Sequence, residues 1–214
     1  VRYLLQMHLE GQSAHFESEH RMRKKDNSYL WVLVRGLAVQ DASGQVTRLA
    51  GTQTDITVRK QNDEKLIHDA RYDSLTELYN RAALVEQLHR SIERNRRHPD
   101  HKYAVLYLDL DHFKEVNDSL GHAAGDEMLI NIARKLAAII RPTDLAARLG
   151  GDEFVVLLEG IHDIRDATIV AERIQHEIEQ TILQFLHRPI VSASIGLVLS
   201  QPVYKVPEEI LRDA

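Results

Sequence analysis

The clearest pattern in this sequence is Arg148-Leu149-Gly150-Gly151-Asp152-Glu153-Phe154-Val155-Val156-Leu157-Leu158. Apolar runs at residues 145–149 and 154–158 flank the tetrad Gly-Gly-Asp-Glu, and this arrangement predicts a β-hairpin with two adjacent carboxylates in its turn. Glycine allows positive φ angles and the close approach of a ligand, and the acids put negative charge where a metal ion could bind. A solvated turn between two core strands would explain the tetrad alone, so its meaning depends on the rest of the chain.

Length and composition describe an ordinary globular protein. The chain has 214 residues, 43% hydrophobic and 28% charged, which is enough for one large domain or one and a half of ordinary size. The absence of cysteine excludes disulfides and thiolate metal sites, and a net charge of −5 argues against a protein that coats nucleic acid. No apolar run approaches the roughly 20 residues of a membrane span and no signal peptide opens the chain, so we expect a cytoplasmic protein without a membrane segment.

The first segment, residues 1–59, has the pattern of strands and turns. Extended runs cover residues 16–24, 29–40 and 46–57. The stretches between them, Lys25-Asp26-Asn27-Ser28 and Asp41-Ala42-Ser43-Gly44, are typical of hairpin turns because Asn and Gly tolerate the left-handed region. The sequence therefore predicts a three-stranded antiparallel meander.

This segment resembles the C-terminal part of a PAS sensor domain. The resemblance rests on His20-Arg21-Met22-Arg23-Lys24-Lys25-Asp26, Tyr29-Leu30-Trp31-Val32 and Gly51-Thr52-Gln53-Thr54-Asp55-Ile56-Thr57, the last of which contains the Asp-Ile-Thr exit motif of that family. Residues 1–59 lack the strands and helices that complete a PAS pocket, so the resemblance implies no ligand. Residues 60–72 fit a linker helix. Whether this helix pairs with its copy in a dimer or is solvated stays open, because polar residues interrupt any heptad seam.

Residues 73–214 alternate between helical and extended patterns. Apolar residues at helical spacing predict helices over about residues 84–97, 128–140 and 167–182, and a further helix begins at Pro207. Apolar runs at residues 103–110 and 190–199 predict strands, the first of them buried and ending in acids. Gly121 and Gly125 are expected to bracket a short connection. The fold class is therefore α+β, with helices flanking a mostly antiparallel central sheet.

A second group of polar residues follows the first of these strands. Asp109 at the strand end and Asp152 in the hairpin turn can converge if their strands are neighbours, and two carboxylates with a backbone carbonyl suit Mg²⁺ or Mn²⁺. Magnesium with few protein ligands usually shares its shell with substrate phosphates, which suggests a nucleotide. Lys114 lies on a turn whose N–H groups could hold phosphate, and Asn117 and Asp126 could read a purine edge. Taken singly, all but Asp109 are explained as well by solvation or helix capping.

In their order along the chain, these motifs closely resemble the GGDEF family of diguanylate cyclases. They are Tyr107-Leu108-Asp109-Leu110-Asp111-His112-Phe113-Lys114-Glu115-Val116-Asn117-Asp118-Ser119-Leu120-Gly121-His122-Ala123-Ala124-Gly125-Asp126, Arg148-Leu149-Gly150-Gly151-Asp152-Glu153-Phe154, the opening Asp73-x-Leu75-Thr76-x-Leu78-x-Asn80-Arg81, and Ser194-Ile195-Gly196. The resemblance covers about residues 71–214, and the domain of the family is expected to continue past residue 214. It implies a nucleotidyl-cyclase fold related to polymerase palms, in which a homodimer condenses two GTP into cyclic di-GMP.

The resemblance also implies roles for the acids. Asp109, the backbone carbonyl of Leu110 and Asp152 would hold Mg²⁺. Asp152 would in addition accept the proton of the ribose 3′-OH, and Glu153 beside it would assist metal binding.

Substrate contacts are implied in the same way. Lys114 and the backbone of Phe113 would contact phosphate, Asn117 and Asp126 would recognise guanine, and His122 would help to hold the substrate.

An inhibitory site is implied outside these motifs. Arg141-Pro142-Thr143-Asp144 fits the inhibitory Arg-x-x-Asp motif of the family, and Arg173 matches a second arginine used there. Arginine forks suit phosphodiesters and guanine edges. We therefore expect cyclic di-GMP to bind at Arg141, Asp144 and Arg173 and to inhibit.

Two other functions stay open. The domain could bind GTP or cyclic di-GMP without catalysis and regulate a neighbouring domain, or the chain could act chiefly as a sensor and dimerisation module. The presence of Asp109, Lys114, Asn117, Asp126 and Asp152 counts against the first, since a degenerate site would have lost some of them.

Overall fold

The computed structural model of the chain describes residues 1–186 and 192–214. These residues form two compact units, Val1–Ile67 and His68–Ala214. Each unit contains helices and a sheet whose strands pair antiparallel. The α+β class predicted from the sequence is confirmed. None of the helices described has the length and apolar character needed to cross a membrane.

The first unit is built on the predicted meander. Its elements are α1 (Arg2–Leu9), β1 (Phe16–Arg23), β2 (Tyr29–Gln40) and β3 (Val46–Asp55). The sheet order β1-β2-β3 and the turn residues Asn27 and Gly44, with φ angles of 67° and 86°, agree with the sequence prediction. Helix α1 was not predicted. It is fastened by the buried imidazole of His8, which accepts a hydrogen bond from the Ala38 N–H and bonds the Ser13 carbonyl, each at 2.9 Å.

Helix α2 (Thr57–Asp69) follows β3. It begins and ends three residues earlier than the linker helix predicted at residues 60–72. None of its 13 residues, all of which the structure describes, is buried. Its large apolar side chains Val58, Leu66 and Ile67 are all exposed.

The second unit carries the acidic hairpin. Its elements are α3 (Arg81–Arg97), β4 (Lys102–Asp111), α4 (Phe113–Leu120), α5 (His122–Ile139), β5 (Leu145–Gly150), β6 (Glu153–Ile161), α6 (Ile164–Leu186), β7 (Ser192–Leu199) and α7 (Pro207–Asp213). The sheet order is β5-β6-β4-β7, with β5 and β6 forming the predicted hairpin. The last strand was predicted from residue 190, but residues 190 and 191 lie outside the described residues.

Strand β4 has packed layers on both of its faces. Successive side chains of a strand point to opposite sides of the sheet. On one side Leu106 and Leu108 pack with the apolar residues of α4, α5 and α6, and on the other Tyr103 and Val105 pack with those of α3 and α7. Burial on both faces explains why the sequence of β4 is continuously apolar rather than alternating.

The region after β4 differs from the sequence prediction. His112 adopts a left-handed conformation, with φ of 61°, and α4 begins directly after it. The short helix α4 buries only Phe113 and Val116, too few residues to show a helical period in the sequence. Gly125 was expected to end a connection but lies inside α5, where it is buried. That part of the prediction was wrong.

Candidate active site

The turn of the hairpin presents its acids through two glycines. Gly150 and Gly151 have φ angles of 143° and 52°. Residues other than glycine rarely adopt this backbone region. Arg148 fixes the turn by donating from Nε and Nη2 to the Gly151 carbonyl, at 3.0 and 2.8 Å. Asp152 follows at once, and Glu153 begins β6. The local sequence therefore sets two carboxylates at the end of the sheet.

Strand pairing brings a third carboxylate to the same place. Asp109 on β4 is the direct partner of Glu153 on β6, as expected if the two strands are neighbours. Burial raises the pKa of Asp109, and the carboxylates of Asp152, Glu153 and Asp111 raise it further. Mutual repulsion of this kind disfavours the ionised form and is relieved by a cation.

The metal site predicted from the sequence has few protein ligands. Among the residues that the structure describes, no group of three or more His, Cys, Asp or Glu side chains is close enough to hold a metal ion. The predicted set needs only two carboxylates, those of Asp109 and Asp152, with the Leu110 carbonyl. Leu110 is buried, with 1% of the whole residue exposed, and its apolar side chain has no ligand atom, so only its backbone carbonyl oxygen is a candidate ligand. Hard oxygen donors of this kind suit Mg²⁺ or Mn²⁺.

The fourth acid of the cluster is turned to other partners. Asp111 accepts hydrogen bonds from the hydroxyls of Ser192 and Ser194, at 2.5 and 2.8 Å. These two hydroxyls hold the pKa of Asp111 below its usual value, although slight burial opposes them. Both oxygens of Asp111 are thus engaged in joining the ends of β4 and β7. No pattern in the sequence predicted this role of Asp111.

Tyr107 was also missed. It lies two residues before Asp109 on the same face of β4, next to the acids. Burial raises the pKa of Tyr107 to about 12, and the carboxylate of Glu153 contributes to the increase. The alternation of β4 could have placed Tyr107 on this face, but only the register with β6 brings Glu153 beside it.

The residues predicted to contact substrate lie on α4 and at the start of α5. Lys114 is exposed in the first turn of α4, and Phe113 just before it is buried. His122 and Asp126 are exposed near the beginning of α5. Asn117 is half-buried on α4 and lies against Gly125, the residue before Asp126. The fold therefore gathers the predicted phosphate and guanine contacts on two consecutive helices after β4.

The predicted inhibitory residues line a separate cavity of about 480 Å³, between the end of α5, the start of α6 and the end of β6. Asp144 does not pair with the guanidinium of Arg141. Its carboxylate accepts the backbone N–H of Arg141 at 3.0 Å and that of Glu159 at 3.1 Å. Arg173 donates to the Ile139 carbonyl at 2.6 Å. All three predicted residues border the cavity, and Asp144 shapes its rim through the backbone.

One further polar cluster lies beneath this rim. The side chain of Glu159 is 7% exposed and accepts hydrogen bonds from the Ser91 hydroxyl and, at 2.8 Å, from the His101 ring. The guanidinium of Arg94 lies 3.8 Å away. These partners come from α3 and the loop after it, far from Glu159 in sequence, so no local pattern predicts the cluster.

Comparison with known proteins gives a consistent result for each segment. Residues 70–214 match the family described as "Diguanylate cyclase, GGDEF domain", and residues 1–53 match the family described as "PAS fold". The chain is 40% identical over 156 residues to diguanylate cyclase TpbB of Pseudomonas aeruginosa, which covers 72% of this chain and 36% of that protein. It is 39% identical over 145 residues to cyclic di-GMP phosphodiesterase NbdA of the same organism, covering 68% and 18%. The chain thus spans well under half the length of these relatives.

A solved structure agrees with the fold. The GGDEF domain of TpbB, in a shortened variant that comprises only this domain, aligns with a TM-score of 0.56 at 40% identity. The alignment covers 67% of this chain and 83% of the other.

Proposed function

Because this chain belongs to the GGDEF family of diguanylate cyclases, we propose that it condenses two molecules of GTP into cyclic di-GMP and two pyrophosphates. The observation that carries the proposal is the meeting of Asp109 with Asp152 and Glu153 at the sheet end, beside the α4 turn that carries Lys114. A carboxylate cluster next to a potential phosphate contact is the arrangement that metal-dependent chemistry on a nucleoside triphosphate requires.

The carboxylates of Asp109 and Asp152 and the carbonyl of Leu110 would hold Mg²⁺ or Mn²⁺. A divalent cation supplies positive charge that offsets the charge on the α-phosphate and on the departing pyrophosphate. Glu153 lies directly opposite Asp109 and adds to the negative potential that attracts the cation.

The residues on α4 and α5 hold the substrate in this proposal. Lys114 and the backbone of Phe113 bind phosphate, while Asn117 and Asp126 bind guanine. A carboxylate accepts from the ring N–H and amino groups of guanine, and a carboxamide offers both a donor and an acceptor. His122, exposed at the start of α5, helps to hold the nucleotide.

The reaction proposed is an in-line displacement that occurs twice. The 3′-oxygen of one GTP attacks the α-phosphorus of the other, a 3′–5′ phosphodiester bond forms, and the bond to the β-phosphate breaks. The Asp152 carboxylate accepts the proton of the 3′-hydroxyl, and pyrophosphate leaves. Each subunit of a homodimer positions one GTP, so neither subunit alone holds both reactants in the orientation that the reaction needs.

Two forms of control belong to the proposal. The PAS unit at residues 1–53 regulates the output of the cyclase unit. Cyclic di-GMP binds in the cavity bordered by Arg141, Asp144 and Arg173 and inhibits, since paired arginine forks match the phosphodiesters and guanine edges of the product.

The test is incubation of the chain with GTP and magnesium chloride, followed by chromatography of the nucleotides. We expect cyclic di-GMP from the parent and none from Asp152→Ala. The matched control is Asp100→Ala, which removes an exposed carboxylate from the turn between α3 and β4 and should retain activity. Equal product from the parent and Asp152→Ala would refute the proposed role of Asp152. No product from a parent that binds GTP would refute the cyclase.

The second candidate is a module that binds GTP or cyclic di-GMP without catalysis and regulates a neighbouring domain. It is favoured by the similarity to NbdA, a protein named as a cyclic di-GMP phosphodiesterase. Nucleotide binding without turnover, by both the parent and Asp100→Ala, is its expected result.

A further inference from the structure

Gly125 occupies a position in α5 where local helix energetics favour another residue. It is buried in the first third of an 18-residue helix. Glycine inside a helix destabilises it by about 1 kcal/mol relative to alanine. A buried helical glycine therefore points to a close contact that a side chain would prevent.

The close contact is with Asn117 on α4. A Cβ atom at position 125 would overlap the carboxamide oxygen of Asn117 and would lie 3.0 Å from its Cγ atom. It would also lie 3.2 Å from Cζ of Phe113, slightly closer than ordinary contact. The carboxamide of Asn117 thus rests directly on the backbone of α5, in the space that an alanine would fill.

Packing rather than hydrogen bonding holds this carboxamide. Within residues 1–186 and 192–214, the backbone carbonyl of Asn117 accepts the Gly121 N–H at 2.9 Å, but its side chain makes no recorded hydrogen bond to the protein. Its donor and acceptor atoms remain available to a ligand. The next residue after Gly125 is Asp126, whose exposed carboxylate starts from the same turn of α5.

We propose that Gly125 is a positioning residue for purine recognition: its missing side chain seats the Asn117 carboxamide against α5, next to Asp126, so that the two side chains read guanine together. The inference rests on the proposed function for the identity of the ligand. The seating itself is a property of the nucleotide-free chain.

The same geometry indicates that an added methyl group moves Asn117 without unfolding the protein. The overlapping atom is the end of a flexible side chain, which can rotate away, and Phe113 needs to yield only by a few tenths of an ångström. Alanine also favours the helix more than glycine. Gly125→Ala is therefore expected to remain folded, with Asn117 displaced.

The experiment compares four versions of the full chain: the parent, Gly125→Ala, Asn117→Ala and the double variant. Equilibrium binding is measured with the α,β-methylene analogues of GTP and ATP, which cannot release pyrophosphate. Loss of one hydrogen bond to the base corresponds to about a tenfold fall in the preference for the guanine analogue. We expect this fall in both single variants and no further fall in the double variant, because both changes remove the same contact. Ala138→Ser adds one atom at an exposed position of α5 and serves as the control with unchanged preference.

A second readout needs no nucleotide. The side-chain amide signal of Asn117 in a ¹H–¹⁵N spectrum is identified by its loss in Asn117→Ala, and we expect it to move in Gly125→Ala but not in Ala138→Ser. A parental signal and parental preference in Gly125→Ala would overturn the inference, as would a further fall in the double variant. A parent that binds neither analogue would overturn the proposed function, while the amide signal would still decide whether Gly125 positions Asn117.

Discussion

Arg148 and Asp73 form an ion pair, with 3.0 Å between Nη1 and Oδ1, although 75 residues separate them in sequence. Their side chains are only 11% and 21% exposed. The same guanidinium donates two hydrogen bonds to the Gly151 carbonyl. One side chain therefore ties the turn at the beginning of the second unit to the turn that carries Asp152.

Removal of this guanidinium should destabilise the protein markedly. We expect Arg148→Ala to lower the free energy of unfolding by about 2 to 3 kcal/mol, because charge-assisted hydrogen bonds are lost and the largely buried Asp73 is left unpaired. The free energy of unfolding of Arg148→Lys should lie between those of the parent and Arg148→Ala, since an ammonium cannot bond both partners with a planar fork. Urea unfolding gives the measurement. Arg134→Ala, on the exposed face of α5, is the matched control, and equal losses from Arg148→Ala and Arg134→Ala would contradict the argument.

The stability contributed by Asp73 should depend on pH with a definite sign. Burial raises the pKa of Asp73, but the Thr76 hydroxyl and the Arg148 guanidinium outweigh it, so the pKa lies below the usual 3.8. A carboxyl group with a lowered pKa stabilises the fold above its unfolded pKa and loses that contribution as the pH falls through its folded value. We expect the difference in unfolding free energy between the parent and Asp73→Asn to be constant above about pH 5. It should shrink once the pH falls below the pKa of Asp73 in the unfolded chain. A difference that grows on acidification would show the wrong sign.

The acidic cluster should oppose folding until a cation binds. Burial and the neighbouring carboxylates raise the pKa of Asp109, so its charge is unfavourable in the folded chain at neutral pH. We expect Asp109→Asn to raise the free energy of unfolding in EDTA by about 0.5 kcal/mol, a small value because solvent screens exposed charges. Excess magnesium chloride should raise the melting temperature of the parent but not that of Asp109→Asn, since only the folded parent binds the ion. Equal magnesium effects in both proteins would exclude Asp109 as a ligand.

Substitutions of Arg141 and Asp144 should affect cyclic di-GMP binding and protein stability differently. Asp144→Ala leaves two backbone N–H groups without their acceptor, so we expect a loss of about 1 to 2 kcal/mol in unfolding free energy and weaker binding of cyclic di-GMP. Arg141→Ala should weaken binding about tenfold or more with stability nearly unchanged, because its exposed guanidinium has no structural partner among the bonds described. Titration calorimetry and thermal unfolding measure the two effects. Arg165→Ala, exposed at the start of α6 outside the cavity lining, is the control; binding that survives Arg141→Ala unchanged would remove the inhibitory assignment.

The sequence predicted the elements whose pattern is local. The hairpin around Gly150 and Gly151, the buried strand before Asp109 and the long amphipathic helices each carry their own signal of apolar spacing and turn residues. The sequence placed Asp109 and Asp152 at the ends of two such elements, and we expected them to converge if the two strands were neighbours. Strands β4 and β6 do pair in the structure.

What the sequence did not predict depends on contacts between distant segments. Helix α4 is short and starts from a left-handed His112, so it shows no periodicity of its own. Gly125 was predicted to end a connection between elements. Its sequence neighbours do not show that the Asn117 side chain, on another helix, occupies the space that a Cβ atom would need. The pairs Arg148–Asp73 and Asp111–Ser192 join residues 75 and 81 positions apart, which no local pattern reveals.

The strand order β5-β6-β4-β7 also determines the order in which the acids can meet during folding. Asp152 and Glu153 come into place when the hairpin closes, a local event that takes microseconds in small peptides. Asp109 joins them only when β4 docks on β6, after a far longer loop has closed. The docking step therefore brings a third negative charge to the two that the hairpin has already placed. Salt screens such repulsion, so the refolding rate of the second unit is expected to rise with ionic strength.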